Sequence, residues 1–155
     1  MFDAIRIAVA IPLLVYASYS DIKTREVDNW IWLAMLALAL PLLIFSNWKD
    51  LLLSVMIAFP FGYLMYLSGG YGAADTKAIW CLALLFPSAK NSTFILPFSH
   101  VFALSLITWV VIGSAIVTAS EWIYGRFTGK KIKLQDIHLP AMPFILAGTA
   151  LSFIF

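Results

Sequence analysis

The sequence predicts an all-α, polytopic membrane protein with about six transmembrane helices, forming a single domain over residues 1–155. Three observations predict it. Hydrophobic residues make up 63% of the chain and charged residues only 12%, against roughly 45–50% and about 25% in soluble domains. The mean hydropathy is +0.94. The apolar residues also fall into runs close to the ~20 residues that cross a bilayer, separated by short polar segments. Six such runs use up 155 residues and leave no room for a soluble domain. A disordered chain, a nucleic-acid-binding domain and almost any water-soluble enzyme are excluded on these grounds. The net charge of +2 is too small to imply a nucleic-acid partner, and the expected surroundings are the lipid bilayer of a cell membrane.

The first run, Phe2–Tyr19, carries Pro12, which a membrane helix tolerates when neighbours satisfy the freed carbonyl. Asp3 and Arg6 make a poor basic n-region, and no small-residue cleavage site precedes the polar segment Ser20–Asn29. The run therefore reads as a retained span rather than a signal peptide. The second span, Trp30–Phe45, opens with Trp30 and Trp32, residues suited to the interfacial aromatic belt. Ser46–Asp50 is a tight polar turn. The third span, Leu51–Leu67, contains Pro60 and Gly62. Gly69, Gly70 and Gly72 then break the helix. The fourth apolar run, Ala78–Phe86, is short for a crossing and ends at Pro87; starting near Asp75 lengthens it. The fifth, Pro97–Tyr124, is long enough to tilt. Gly125–His138 is polar and basic, and the sixth span, Leu139–Phe155, carries Pro140 and Pro143. The single cysteine, Cys81, rules out an intramolecular disulfide and a four-cysteine zinc site.

Orientation follows from Lys and Arg. With six spans, Lys23, Arg25, Lys77, Arg126, Lys130, Lys131 and Lys133 share one side, while Arg6, Lys49 and Lys90 lie on the other. The positive-inside rule places the first group in the cytoplasm and both termini outside.

Acidic residues are scarce, so each one is informative. Asp21 sits where the first span leaves the membrane, and Asp75 where the fourth enters it. The second span crosses away and the third crosses back, so both carboxylates reach the same face at similar depth. Two carboxylates that meet at a membrane boundary do not both ionise cheaply, and the pair tends to share a proton. An aspartic protease uses that state: one carboxylate draws a proton from water and the other donates to the scissile carbonyl. The simpler alternative is that each Asp only caps a helix beside Lys23 or Lys77. The small residues Gly72, Ala73 and Ala74 before Asp75 favour a site, because they let another backbone come close.

The segment Ser20-Asp21-Ile22-Lys23-Thr24-Arg25-Glu26-Val27-Asp28-Asn29-Trp30 resembles the first aspartate motif of the type IV prepilin peptidases, and Gly72-Ala73-Ala74-Asp75-Thr76-Lys77-Ala78 resembles their second, written G-x-G-D. The short chain without a cysteine-rich insertion looks most like the archaeal preflagellin and prepilin peptidase branch. The order of apolar runs around the two motifs extends the likeness along most of the chain. The resemblance implies a six-helix aspartic endopeptidase that removes the short basic leader of pilin-like or archaellin-like precursors at the cytoplasmic face, with Asp21 and Asp75 as the catalytic pair and no metal or cofactor. Two departures stand out: Ala74 replaces the second Gly of G-x-G-D, and Asp28-Asn29 stands where bacterial members often have Pro-Asn. No methyl-donor site is evident, so N-methylation is not carried over.

The substrate-contact candidates are Gly72, Ala73, Ala74 and Lys77 around Asp75, with Glu26 and Asp28 flanking the entry for a basic leader. Glu121, near the cytoplasmic end of the fifth span, either meets the leader or pairs with Arg126. Pro140-Ala141-Met142-Pro143-Phe144 opens the sixth span at the face of the Asp pair; it lines a cleft or only shapes the helix entry. His100 and His138 lack a catalytic setting. The competing function is a small transporter or assembly protein that uses Asp21 and Asp75 for ion or proton relay.

Overall fold

Six helices, α1 Phe2–Thr24, α2 Asn29–Leu43, α3 Trp48–Leu67, α4 Ala73–Leu85, α5 Phe102–Thr128 and α6 Met142–Ile154, make up the fold in a computed structural model of the chain. The structure describes residues 2–67, 69, 72–88, 102–128 and 141–154. Among the described residues α1, α3 and α5 are long and apolar enough to cross a membrane, and α2 and α6 are shorter apolar helices. This is an all-helical membrane protein.

The outward faces carry Leu33, Ile44, Met56 and Leu64, all more than 60% exposed. In water such a surface would be a large unpaid apolar area; in a bilayer it is the ordinary lipid-facing side. The inward faces meet on α4. This helix packs against α2, α3, α5 and α6, and Ala78, Ile79, Leu82, Ala83 and Leu85 are all buried. A helix enclosed by its neighbours does not need the full bilayer length, which accounts for the short fourth run. Trp30 is half exposed, as the aromatic belt requires, but Trp32 is buried at 5% exposure. Trp32 belongs to the core against α4, where its carbonyl faces the Cys81 thiol at 3.8 Å.

Polar side chains tie the helices where lipid offers no hydrogen bonds. Ser54 on α3 donates to the Ala83 carbonyl of α4 at 3.1 Å, and Ser105 of α5 lies 2.9 Å from Ser152 of α6. Buried Arg6 donates to the Leu42 carbonyl at 3.0 Å and to Ser46 Oγ at 2.9 Å. Those bonds satisfy the carboxyl end of α2 with a cation, the charge that helix end favours. Phe86, Phe102 and Phe153 cluster with centroids 4.8–5.4 Å apart, joining the carboxyl end of α4 to α5 and α6. These contacts lock the pole remote from the two aspartates.

Candidate active site

Hydropathy ends the first span at Tyr19, yet the helix continues through Asp21 to Thr24. Hydrogen bonds, not polarity, stop it. Arg25 adopts φ +60°, and its N–H closes on the Asp21 carbonyl at 3.1 Å, a left-handed helix stop usually filled by glycine. Ser20 and Thr24, one turn apart, both donate to the Glu26 carbonyl, at 2.7 and 3.1 Å. The polar residues of the first motif thus build a fixed C-cap, and Asp21 rides half-buried on its last turns.

Asp75 is at the third position of α4, after the N-cap Gly72. Its Oδ2 accepts the Gly72 N–H at 2.9 Å. The neighbouring Thr76 hydroxyl reaches the carbonyls of Gly62 (3.3 Å) and Gly72 (3.2 Å), which ties the start of α4 to α3. Gly62 makes that approach possible. A Cβ there would lie 2.7 Å from Trp80 Nε1 and 3.2 Å from Thr76 Cγ2. Ala74, which replaces the motif glycine, is helical, and its methyl packs against the core. This position needs no left-handed backbone, so the alanine is accommodated.

Asp75 is 9% exposed and lies outside the three candidate spans. Burial pushes its carboxyl up from about 3.8 to about 6; the Gly72 N–H opposes the rise, and the negative charge of Asp21 adds to it. The two sequence-identified aspartates therefore interact electrostatically. They are not equivalent. Asp75 is enclosed and resists ionisation, whereas Asp21 is half-buried and its Oδ2 accepts the backbone N–H of Met142 at 3.4 Å. The amino end of α6, opened by Ala141 and Pro143, is therefore next to Asp21.

The remaining candidates are spread around this pair. Gly72 and Ala73 are exposed at the start of α4, and Ala74 is half-buried. Lys77 Nζ donates to Asn29 Oδ1 at 2.8 Å, so it bridges α4 to α2. Both residues rim an apolar cavity of about 400 Å³ lined further by Trp32, Leu36, Phe59 and Trp80. Glu26 and Asp28 are exposed; Asp28 is the N-cap of α2 and makes no side-chain cap bond. Glu121 lies on α5, but its side chain is outside the described residues, as are His100, Lys130, Asp136 and His138. Among the described residues, no group of three or more His, Cys, Asp or Glu is placed to hold a metal ion. Sequence reasoning missed the C-cap role of Ser20 and Thr24, the Thr76–Gly62 tie and the Met142 contact. The i, i+4 spacing of Ser20 and Thr24 around Asp21 was a usable signal; a backbone N–H far along the chain was not.

The chain is 38% identical over 92 residues to a preflagellin peptidase from Methanococcus voltae, an alignment that covers 53% of this chain and 39% of that relative. The chain thus spans about two-fifths of the length of the curated relative it matches. No solved structure gives a significant match. The model of the type IV leader peptidase family matches residues 8–119, which hold both aspartate motifs and all of α2, α3 and α4. By that match, the chain belongs to the type IV leader peptidase family.

Proposed function

We propose that the chain is an aspartic endopeptidase that cleaves the short basic leader from pilin-like or archaellin-like precursors, with Asp21 and Asp75 as the catalytic pair. The observation that carries this reading is the asymmetry of the two carboxylates. Asp75 is buried with its carboxyl raised to about 6, and the Asp21 charge contributes to the rise. Two neighbouring carboxylates held in different environments are the arrangement that acid–base hydrolysis uses.

Asp75 is the proton donor and Asp21 the base. Asp21 takes a proton from water as the water oxygen attacks the scissile carbonyl carbon. Asp75 gives its proton to the carbonyl oxygen, which yields a tetrahedral diol, a protonated Asp21 and an ionised Asp75. On collapse, the C–N bond breaks and the leaving amine takes the proton from Asp21. One diol hydroxyl returns its proton to Asp75, so the pair is regenerated. The acidic side chains of Glu26 and Asp28 meet the basic leader. Gly72, Ala73 and Ala74 admit the extended backbone beside Asp75, with Lys77 two residues further along α4 as a substrate contact. The distribution of Lys and Arg supports an active site at the cytoplasmic face with both termini outside.

The test is leader release from a purified preflagellin precursor by the purified protein in detergent micelles, with EDTA present and no ion gradient. Appearance of the shortened precursor supports the peptidase reading. A precursor left intact under conditions where a known leader peptidase cuts it overturns that reading in favour of a relay or assembly role.

A further inference from the structure

The α6 amino end carries an arrangement that neither aspartate motif contains and that lies beyond the region matched by the family model, residues 8–119. A helix starts with backbone N–H groups that have no partner within the helix. Within α6 itself, which starts at Met142, the destinations of the first N–H groups are defined. Ala141 immediately precedes the helix, and its carbonyl accepts from Phe144 and Ile145 at 3.0 Å. Pro143 has no N–H to offer. That leaves Met142, whose N–H points to Asp21 Oδ2 at 3.4 Å. The donor is anchored: the Met142 side chain is fully buried and Ala141 is 7% exposed. The rest of α6 packs along α1 and α5, which fixes the helix end against the turn of α1 that carries Asp21.

We propose that the Met142 N–H, at the amino end of α6, is a positioning group that holds the Asp21 carboxylate by one oxygen and leaves the other free for water. The N–H at the helix end fixes the direction of the carboxylate that accepts the proton from water. Pro143 removes the next N–H of the helix, so α6 itself offers the carboxylate one donor and not a fan of competing ones. This proposal rests on the reading of Asp21 as the catalytic base.

The test compares Met142→Pro with Met142→Ala. Proline is well tolerated at the first helical position and deletes the N–H; alanine shortens the buried side chain and keeps it. Both variants and Asp21→Asn are assayed for kcat and KM of leader release from a preflagellin precursor, with thermal midpoints measured alongside and the folded fraction counted. The expected result is that Met142→Ala keeps most of its kcat. Met142→Pro should lose about tenfold or more in kcat per folded molecule, the scale of a hydrogen bond to a charged group, with KM within about twofold. A merely structural role would lower the folded fraction and leave kcat per folded molecule unchanged. Equal kcat for the two variants would overturn the proposal while leaving the catalytic pair intact, provided that Asp21→Asn is inactive. Cleavage by Asp21→Asn would overturn the pair itself. If Met142→Pro does not fold, amide-to-ester replacement at position 142 deletes the same N–H with the methionine side chain retained. An unchanged kcat per folded molecule there also refutes the proposal.

Discussion

Replacing Asp75 with Asn should stabilise the folded protein at neutral pH while it destroys the chemistry. The buried carboxyl is raised from about 3.8 to about 6, chiefly by burial, with the Gly72 N–H opposing and Asp21 reinforcing. An unfolded carboxyl ionises near its ordinary value, so between pH 4 and 6 the folded state binds the extra proton. Stability therefore falls as pH rises through that window and levels off above it. The gap corresponds to about 3 kcal/mol of unfavourable ionisation at pH 7.5. Asparagine removes the charge and keeps an oxygen for the Gly72 N–H, now 2.9 Å from Asp75 Oδ2. Some of the gain is lost because a neutral acceptor bonds less strongly, so the expected net stabilisation is about 1–3 kcal/mol at pH 7.5 and near zero at pH 4. The assay is thermal unfolding in detergent, followed by intrinsic tryptophan fluorescence, for the wild type and Asp75→Asn across pH 4–8. Asp21→Asn, run in parallel, should shift the wild-type fall in stability to lower pH by removing the neighbouring charge. A destabilised Asp75→Asn at pH 7.5, or the same difference from wild type at pH 4 and pH 7.5, would refute the reasoning.

Two further outcomes follow from other contacts. Gly62→Ala places a methyl 2.7 Å from Trp80 Nε1 and 3.2 Å from Thr76 Cγ2; it should cost about 1–3 kcal/mol in thermal unfolding and lower leader cleavage by displacing the start of α4. Charge reversal of Glu26 and Asp28 together should raise KM for a basic leader several-fold at low ionic strength and less at high salt, since exposed charges are screened. An unchanged KM at low salt would remove these two residues from the leader contact.

The order of the apolar helices was legible because lipid-facing and core-facing surfaces are both hydrophobic, so hydropathy alone finds the runs. It placed α3 within a few residues. It ended α1 too early, since composition reports where water begins and not where backbone hydrogen bonding stops. The stop at Arg25 uses a left-handed backbone on a non-glycine residue, which no propensity scale favours. Trp32 was read as interfacial from residue type, yet its turn of α2 faces α4 and buries it. At the site, the self-cap of Asp75 on Gly72 could be read from its place three residues into a helix that follows a glycine-rich break. The Asp21–Met142 contact could not. It joins residues 121 positions apart through a backbone N–H, which any non-proline residue supplies. The helical Ala74, packed on the core, also shows that the departure from G-x-G-D fits the fold: glycine there is not required by the backbone.

The most direct test of the central claim is a double-substitution cycle on the two aspartates. Asp21→Asn, Asp75→Asn and the double variant are purified in detergent, checked for wild-type helicity and a thermal midpoint no lower than wild type for Asp75→Asn, and assayed for leader release from a preflagellin precursor. Residues that act as one unit lose activity non-additively. The account predicts that each single variant loses at least about a thousandfold in kcat/KM, a loss on the scale of an essential acid or base, and that the double variant is hardly worse than either. Appreciable cleavage by a folded single variant, or losses that simply multiply in the double variant, would contradict it.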